Sequence, residues 1–357
     1  MKTYTCACGE LLYFENVSCV TCQRELGFLP DLTCVSSLQP PDADGFYAAD
    51  AAGAKGRLYK KCGNYSTNGV CNWMVPAENT GEVFCASCRL DLVIPDLTLP
   101  ANVVLWAAIE AAKRRLVYSA LRLKLPLANR IEDPENGLGF RFMGDTLNPD
   151  GTVAAKVITE HNHGLITLNI NEADDSFRER MRTSMKEPYR TLLGHFRHES
   201  GHYYWDRLVL NSKFLEPYRA LFGDERQSYE DAMKKYYASG APADWGDHFI
   251  SMYATMHPWE DWAESWAHYL HIQDTLEVAG DFGLVGKRIK IDPTGAADGP
   301  ARTVKAKPFE EVMEAWAELT IALNSLNRSM GLRDLYPFVL SDSVVKKLEF
   351  ISDVIAG

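Results

Sequence analysis

An α+β protein in two unlike parts is predicted: a small β-rich, cysteine-bearing segment over residues 1–98, then a mostly helical unit with a small β-sheet over residues 99–357. Three observations predict it. All nine cysteines fall before residue 89. Beyond them, apolar residues recur mainly at spacings of three and four, the period of a helix with one buried face. Two β-rich runs, residues 153–159 and 164–170, interrupt that pattern. The boundary is placed at Pro95-Asp96-Leu97-Thr98-Leu99-Pro100, which reads as a linker. With 357 residues, 46% of them hydrophobic and 24% charged, the chain can bury a large core.

The net charge of −11 argues against a general nucleic-acid binder, whose phosphate affinity comes from clustered Lys and Arg. No basic-then-apolar leader precedes the first cysteine, so no signal peptide is expected. The longest apolar candidate, Val103 to Ala112, is broken by Glu110 and followed by Lys113, Arg114 and Arg115, so no membrane span is expected either. A cytoplasmic location follows as the expectation.

Eight cysteines group by spacing into two sets: Cys6, Cys8, Cys19 and Cys22, then Cys62, Cys71, Cys85 and Cys88. Close thiolate pairs on tight turns suit tetrahedral coordination of structural zinc, one ion per set, closed and non-catalytic. A disulfide scaffold is the alternative, disfavoured without a secretion signal. Cys34 is left over and is expected to be a small buried apolar residue. Such a segment has few aliphatic residues and gains folding free energy from metal. Recognition of a protein partner is its expected role.

Asn102 is expected to cap a helix from Val103 to Lys124 that buries Leu105, Ile109, Ala112, Leu116 and Ala120, with Pro126 as its stop. Lys113-Arg114-Arg115 reads as a solvated face. After a Gly/Asn/Pro/Asp-rich stretch come the two strands, joined through Glu160-His161-Asn162-His163, whose histidines read as polar residues of a turn, with a second metal site as the alternative.

His198-Glu199-Ser200-Gly201-His202 matches H-E-x-x-H, in a helix expected to run from near Lys186-Glu187-Pro188 to about Leu210. Residues four apart share a helix face, so both imidazoles can reach one metal ion, and Glu199 is placed to take a proton from water. A catalytic zinc needs a third protein ligand. Trp205 and Leu208 stand where a third-histidine extension would need Gly and His, which leaves a carboxylate from a later helix. Met256 to Leu270 supplies candidates: Glu260 and Glu264 lie four apart, with Trp259, Trp262, Ala263, Trp266 and Ala267 as packing residues. An ordinary pair of surface carboxylates is the alternative.

This E-x3-E resembles the E-x3-D/E element of the gluzincins, thermolysin-like enzymes with a His-His-Glu site. More widely, the chain resembles the bacterial putative zinc-binding metallopeptidases that carry an N-terminal zinc ribbon. The resemblance rests on the cysteine-rich start, Ala112-Lys113-Arg114-Arg115-Leu116, His198 to Trp205, Glu260-Asp261-Trp262-Ala263-Glu264, and Leu323 to Gly331. It implies a zincin-like fold, Glu260 as third zinc ligand, and Glu264 as hydrogen-bond partner of a liganding histidine; Glu264 as ligand stays open. Tyr253, seven residues before Glu260, is placed like an oxyanion-stabilising tyrosine of some gluzincins, with His257 as its competitor. By the same analogy, Gly164 to Ile170 is expected to be an edge strand that pairs with an extended substrate.

The function expected is zinc-dependent hydrolysis of a peptide or protein, with one catalytic and two structural zincs. The alternative is a non-catalytic, zinc-stabilised interaction module with a vestigial H-E-x-x-H.

Other expectations concern support. Tyr203 and Tyr204 line the pocket or the core. His195 lies near the metal face without a defined role, and His248, His268 and His271 are structural. Phe214 to Tyr237 is expected to be helical, residues 280–307 a long loop with a β-like Arg288-Ile289-Lys290-Ile291, and Phe309 to Leu326 a helix closed by Gly331. Arg328 is expected to bind a substrate carboxylate or a backbone carbonyl, or to form a structural salt bridge. Asp334 to Phe338 turns into a last helix, Ser343 to Ile355.

Overall fold

The structure is a computed structural model that describes residues 2–148, 150, 152–184, 190–285 and 309–357. The N-terminal part is built from short antiparallel pieces. Strands β1 (Tyr4–Thr5) and β2 (Leu11–Leu12) pair, as do β3 (Leu26–Leu29) and β4 (Cys34–Ser37); β5 (Tyr47–Ala48), β6 (Leu58–Lys61) and β7 (Met74–Pro76) form a three-stranded sheet. One turn of helix, α1 (Gly63–Ser66), starts directly after Cys62. Strands of two to four residues make few ladder bonds, so this part depends on what lies between them. An aromatic cluster does much of it: Phe28 packs on Trp73 at 4.3 Å, and Phe14 meets Tyr118 of the following helix at 5.2 Å.

That helix, α2 (Pro100–Arg122), takes Leu99 as its cap position and Pro100 in its first turn, where the missing N–H costs nothing. Asn102 therefore lies inside the helix rather than capping it, and its Nδ2 donates to the Asp96 carbonyl at 3.0 Å. Lys113-Arg114-Arg115 is not a solvated face. Lys113 is fully buried between Asp91 and Glu110, Arg114 donates to the Val70 carbonyl, and Arg115 bonds Glu15 at 2.6 Å. Burial opposes the Lys113 charge, but the two carboxylates more than offset that and hold its pKa above the usual value. The basic run fastens α2 to the cysteine-rich part.

Strand β8 (Asp91–Val93) leaves the N-terminal part and becomes one edge of a four-stranded sheet, order β12-β13-β9-β8, with β9 (Gly139–Met143), β12 (Glu160–Asn162) and β13 (Leu165–Asn169). The expected strand over residues 153–159 is shorter: β11 (Val153–Ala155) pairs with β10 (Thr146–Leu147) in a separate hairpin. The second hairpin, β12 to β13, turns on His163-Gly164, both with positive φ (46° and 83°), the signature of a tight two-residue turn. Strand β13 is consequently interior, antiparallel to β12 and parallel to β9, so Gly164 to Ile170 is not an edge. Among the described residues, the free edge on that side is β12.

The helical part contains α3 (Asp175–Ser184), α4 (Leu192–Leu208), α5 (Leu215–Phe222), α6 (Tyr229–Ser239), α7 (Pro258–Asp281), α8 (Phe309–Ser329) and α9 (Asp342–Ala356). Thr191 caps α4, accepting from Gly194 N at 3.0 Å; the expected start at Lys186 to Pro188 lies outside the described residues, as does Arg288 to Ile291. The single helix expected over Phe214 to Tyr237 is two, since Ser228 caps a fresh start at Tyr229. Helices α4 and α7 cross closely at Gly201, where a Cβ would stand 2.9 Å from the Ala263 Cα; Trp262 Nε1 donates to the Gly201 carbonyl at 2.8 Å. A buried Lys347–Asp261 pair at 2.6 Å ties α9 to α7. Among the described residues, no helix is long and apolar enough to cross a membrane.

Candidate metal centre

The α4–α7 crossing sets the centre. One turn apart on α4, His198 and His202 face Glu260 in the first turn of α7, and one ligand atom from each lies within 4.8 Å of the others. His198 Nε2 is 3.0 Å from Glu260 Oε2, and His202 Nε2 is 3.4 Å from Oε1. Glu260 Oε2 is buried yet makes no hydrogen bond of proper geometry despite that short approach. Lone pairs that converge in this way without hydrogen bonding fit a cation between them, and a nitrogen–nitrogen–carboxylate donor set suits zinc. Electrostatics agree. Burial would lower the His198 pKa, but Glu260 and Glu264 outweigh it and raise it well above the usual value, so this point demands positive charge.

Glu264, one turn beyond Glu260, lies behind His198. Its Oε1 is 2.7 Å from His198 Nδ1, and its Oε2 accepts from Ser251 Oγ at 2.7 Å. Both oxygens are thus engaged away from the three converging ligand atoms. Burial pushes this carboxyl up, and His198 more than reverses it.

Around the cluster, Glu199 is half-buried beside His198. Tyr253 sits in a short 3₁₀ turn, Tyr253–Thr255, its ring 6.0 Å from that of His198. Burial, then Glu260 and Tyr229, raise its phenol pKa, so it stays a donor. Both nitrogens of His257, its competitor, are already engaged: Nδ1 accepts from Trp259 N at 3.1 Å as the cap of α7, and Nε2 faces the Gln227 carbonyl at 3.2 Å. Two further residues stand at the centre, one that sequence reasoning missed and one that it read as a polar residue of a turn. Tyr229, the first residue of α6, donates to Glu260 Oε1 at 2.9 Å; no local pattern marks it. His161 on the edge strand β12 stacks 6.0 Å from the His202 ring and meets Trp259 at 6.0 Å, whereas His163 stays exposed in the turn. His161 Nε2 accepts from Gly164 N at 2.8 Å, and burial, then His202, bring its pKa to about 3, so the ring is neutral.

Other candidates lie elsewhere. Tyr203 and Tyr204 are both core, with Tyr204 stacked on Trp266 at 5.0 Å. His195 Nδ1 is 3.3 Å from Glu172, apart from the centre. His268 bonds the Tyr336 hydroxyl at 2.8 Å, His271 meets Arg197, and His248 is exposed. Arg328 holds Asp334 through two bonds of 2.6 Å.

The cysteines gather as two groups of four, each with its sulfurs within 4.8 Å of one another, and none forms a disulfide. The Cys6–Cys22 and Cys8–Cys19 separations are 3.6 Å and Cys71–Cys85 is 3.8 Å. Tetrahedral bonds of about 2.3 Å to one ion place sulfurs roughly 3.8 Å apart. Backbone N–H groups of Trp73, Cys85 and Cys88 point at sulfurs of the second group at 3.4–3.5 Å, which steadies thiolate charge. Cys34 belongs to neither group; burial and Asp31 push its thiol up to about 12.

Paired thiolate clusters ahead of a His-His-Glu centre define a class: zinc proteins with a ribbon before a metallopeptidase-type unit. The model of the family described as "putative zinc-binding metallo-peptidase" matches residues 102–354, and a zinc-ribbon domain matches residues 3–99; the chain belongs to this metallopeptidase family. An uncharacterized protein of Mycobacterium bovis and counterparts in two Mycobacterium tuberculosis strains are each 41% identical over 358 residues, covering 99% of this chain and 95% of theirs. No solved structure matches.

Proposed function

We propose that the protein is a gluzincin-like zinc peptidase, with the catalytic ion held by Nε2 of His198, Nε2 of His202 and the Glu260 carboxylate, and two structural zincs held by the cysteine groups. The observation that carries this reading is the convergence of those three side chains with Glu264 behind His198. Zinc bound there supplies a Lewis acid for the scissile carbonyl and lowers the pKa of the attacking water.

The chain's own residues do the rest. Glu199 takes the proton of that water and delivers it to the leaving amine. Tyr253 donates to the developing oxyanion, since its raised pKa keeps the phenol protonated. Tyr229 keeps its proton on Glu260 and fixes that carboxylate. Strand β12, the free edge beside His202, pairs with the extended substrate. The thiolate groups hold the N-terminal part for a protein partner, and the cytoplasm is the proposed location.

Glu199→Gln tests the reading: peptide cleavage falls 10²–10⁴-fold while zinc content and circular dichroism are unchanged. Wild-type turnover by this variant sinks the mechanism.

A further inference from the structure

A cleft of about 760 Å³ is walled in part by residues that flank Ser251, the partner of Glu264. Its wall and the centre share one segment. Ile250 and Met252 line the cleft; Ser251 between them bonds Glu264, and Tyr253 follows directly. Trp245 and Phe338 add aromatic surface, and the Phe338 ring lies 4.3 Å from that of His268, one turn past Glu264 on α7. This volume sits within the roughly 300–1,000 Å³ of ligand pockets and exceeds what one side chain fills.

The charges in the cleft are Arg182, Arg333 and Glu179, two positive and one negative, in a chain of net charge −11. Arg182 is committed to Glu179 through bonds of 2.7 and 2.6 Å. Arg333 is exposed, and among the described residues its guanidinium makes no hydrogen bond or ion pair; it contributes only its field at Glu179. A guanidinium presented in this way above apolar walls is complementary to a carboxylate attached to a bulky apolar group.

We propose that this cleft recognises the substrate of the same centre, a peptide with a carboxylate beside a bulky apolar residue, and that Arg333 is the partner of that carboxylate. The proposal rests on the peptidase reading above. The carboxylate is the chain terminus of the peptide or an acidic side chain, and the test separates these sources.

Zinc-loaded Glu199→Gln protein is titrated calorimetrically with matched peptides: free or amidated C-terminus, internal Glu or Gln, neighbouring Phe or Ala. Carboxylate peptides should bind roughly tenfold tighter or more than their neutral partners. The arm that loses affinity, amidation or Glu-to-Gln, identifies the source. Adding Arg333→Gln should abolish the difference. Val339→Glu, on the 81% exposed rim, should weaken the same peptides without disturbing the fold. Equal affinity of charged and neutral peptides, a preference that survives Arg333→Gln, or no binding at all overturns the proposal. Because binding is read on a protein without the proposed base, it is independent of turnover. Failure of the peptidase reading shows separately, as cleavage by Glu199→Gln at the wild-type rate.

Discussion

His198 meets two carboxylates with different duties, and their roles separate by which nitrogen each approaches. Glu260 approaches Nε2 on the side that His202 also faces, while Glu264 takes Nδ1 and is itself held by Ser251. An outer carboxylate of this kind orients the imidazole and raises its basicity, worth about 10–100-fold in metal affinity. Glu264→Ala should therefore weaken the exchangeable zinc by that factor in a chelator competition, with turnover restored at saturating zinc. Glu260→Ala should remove the ion altogether. Reversed outcomes would make Glu264 the ligand. The spacing of His198, His202, Glu260 and Glu264 was readable because a helix places residues four apart on one face. Tyr229 and His161 were not readable, since neither belongs to those helices and only packing brings them in.

The strand beside the centre shows what changes at the scale of an element. Composition located β13 well, but edge status belongs to pairing, and the parallel neighbour β9 covers that strand. In the β12–β13 hairpin the pair next to the two-residue turn is hydrogen-bonded, so the next residue, His161, directs its N–H and carbonyl off the free edge. His161→Pro removes that N–H, whereas His161→Ala keeps it. Turnover of an extended peptide should fall on the order of tenfold further in the Pro variant, with zinc content equal in both. Equal turnover would remove β12 from substrate binding. The basic run in α2 teaches the same lesson. Charges usually mark a solvated face, but here the facing surface offers Asp91, Glu110, the Val70 carbonyl and Glu15.

Across the whole molecule, the hydrophobic core runs without a gap from Phe14, Phe28 and Trp73 through Tyr118 to the helices. The cysteine-rich part and the helical part are therefore coupled in stability. A mild chelator should remove one zinc with little change in far-ultraviolet circular dichroism. Releasing two more with a thiol-directed mercurial should lower the melting temperature of the entire chain in a single calorimetric transition. Two separate transitions, with the helical one unmoved, would show that the coupling is weak. Zinc counted by atomic emission at each stage ties each loss of structure to its ion.

The sequence by itself determined the ligand sets of this protein as candidates: thiolates on tight turns, H-E-x-x-H, and E-x3-E. Apart from the Cys62–Cys71 pair, each is built from spacings within one turn or one helix, where local backbone geometry dictates which side chains can meet. Tertiary structure decided the rest. It set Glu264 behind His198, took His257 away as a cap, made β12 the edge, brought Tyr229 to Glu260, and buried Lys113. Apart from the local cap bond of His257 to Trp259 N, those outcomes need contacts between segments tens of residues or more apart, such as the pairing of β9 with β13 and of Arg115 with Glu15. Local periodicity carries no record of such contacts.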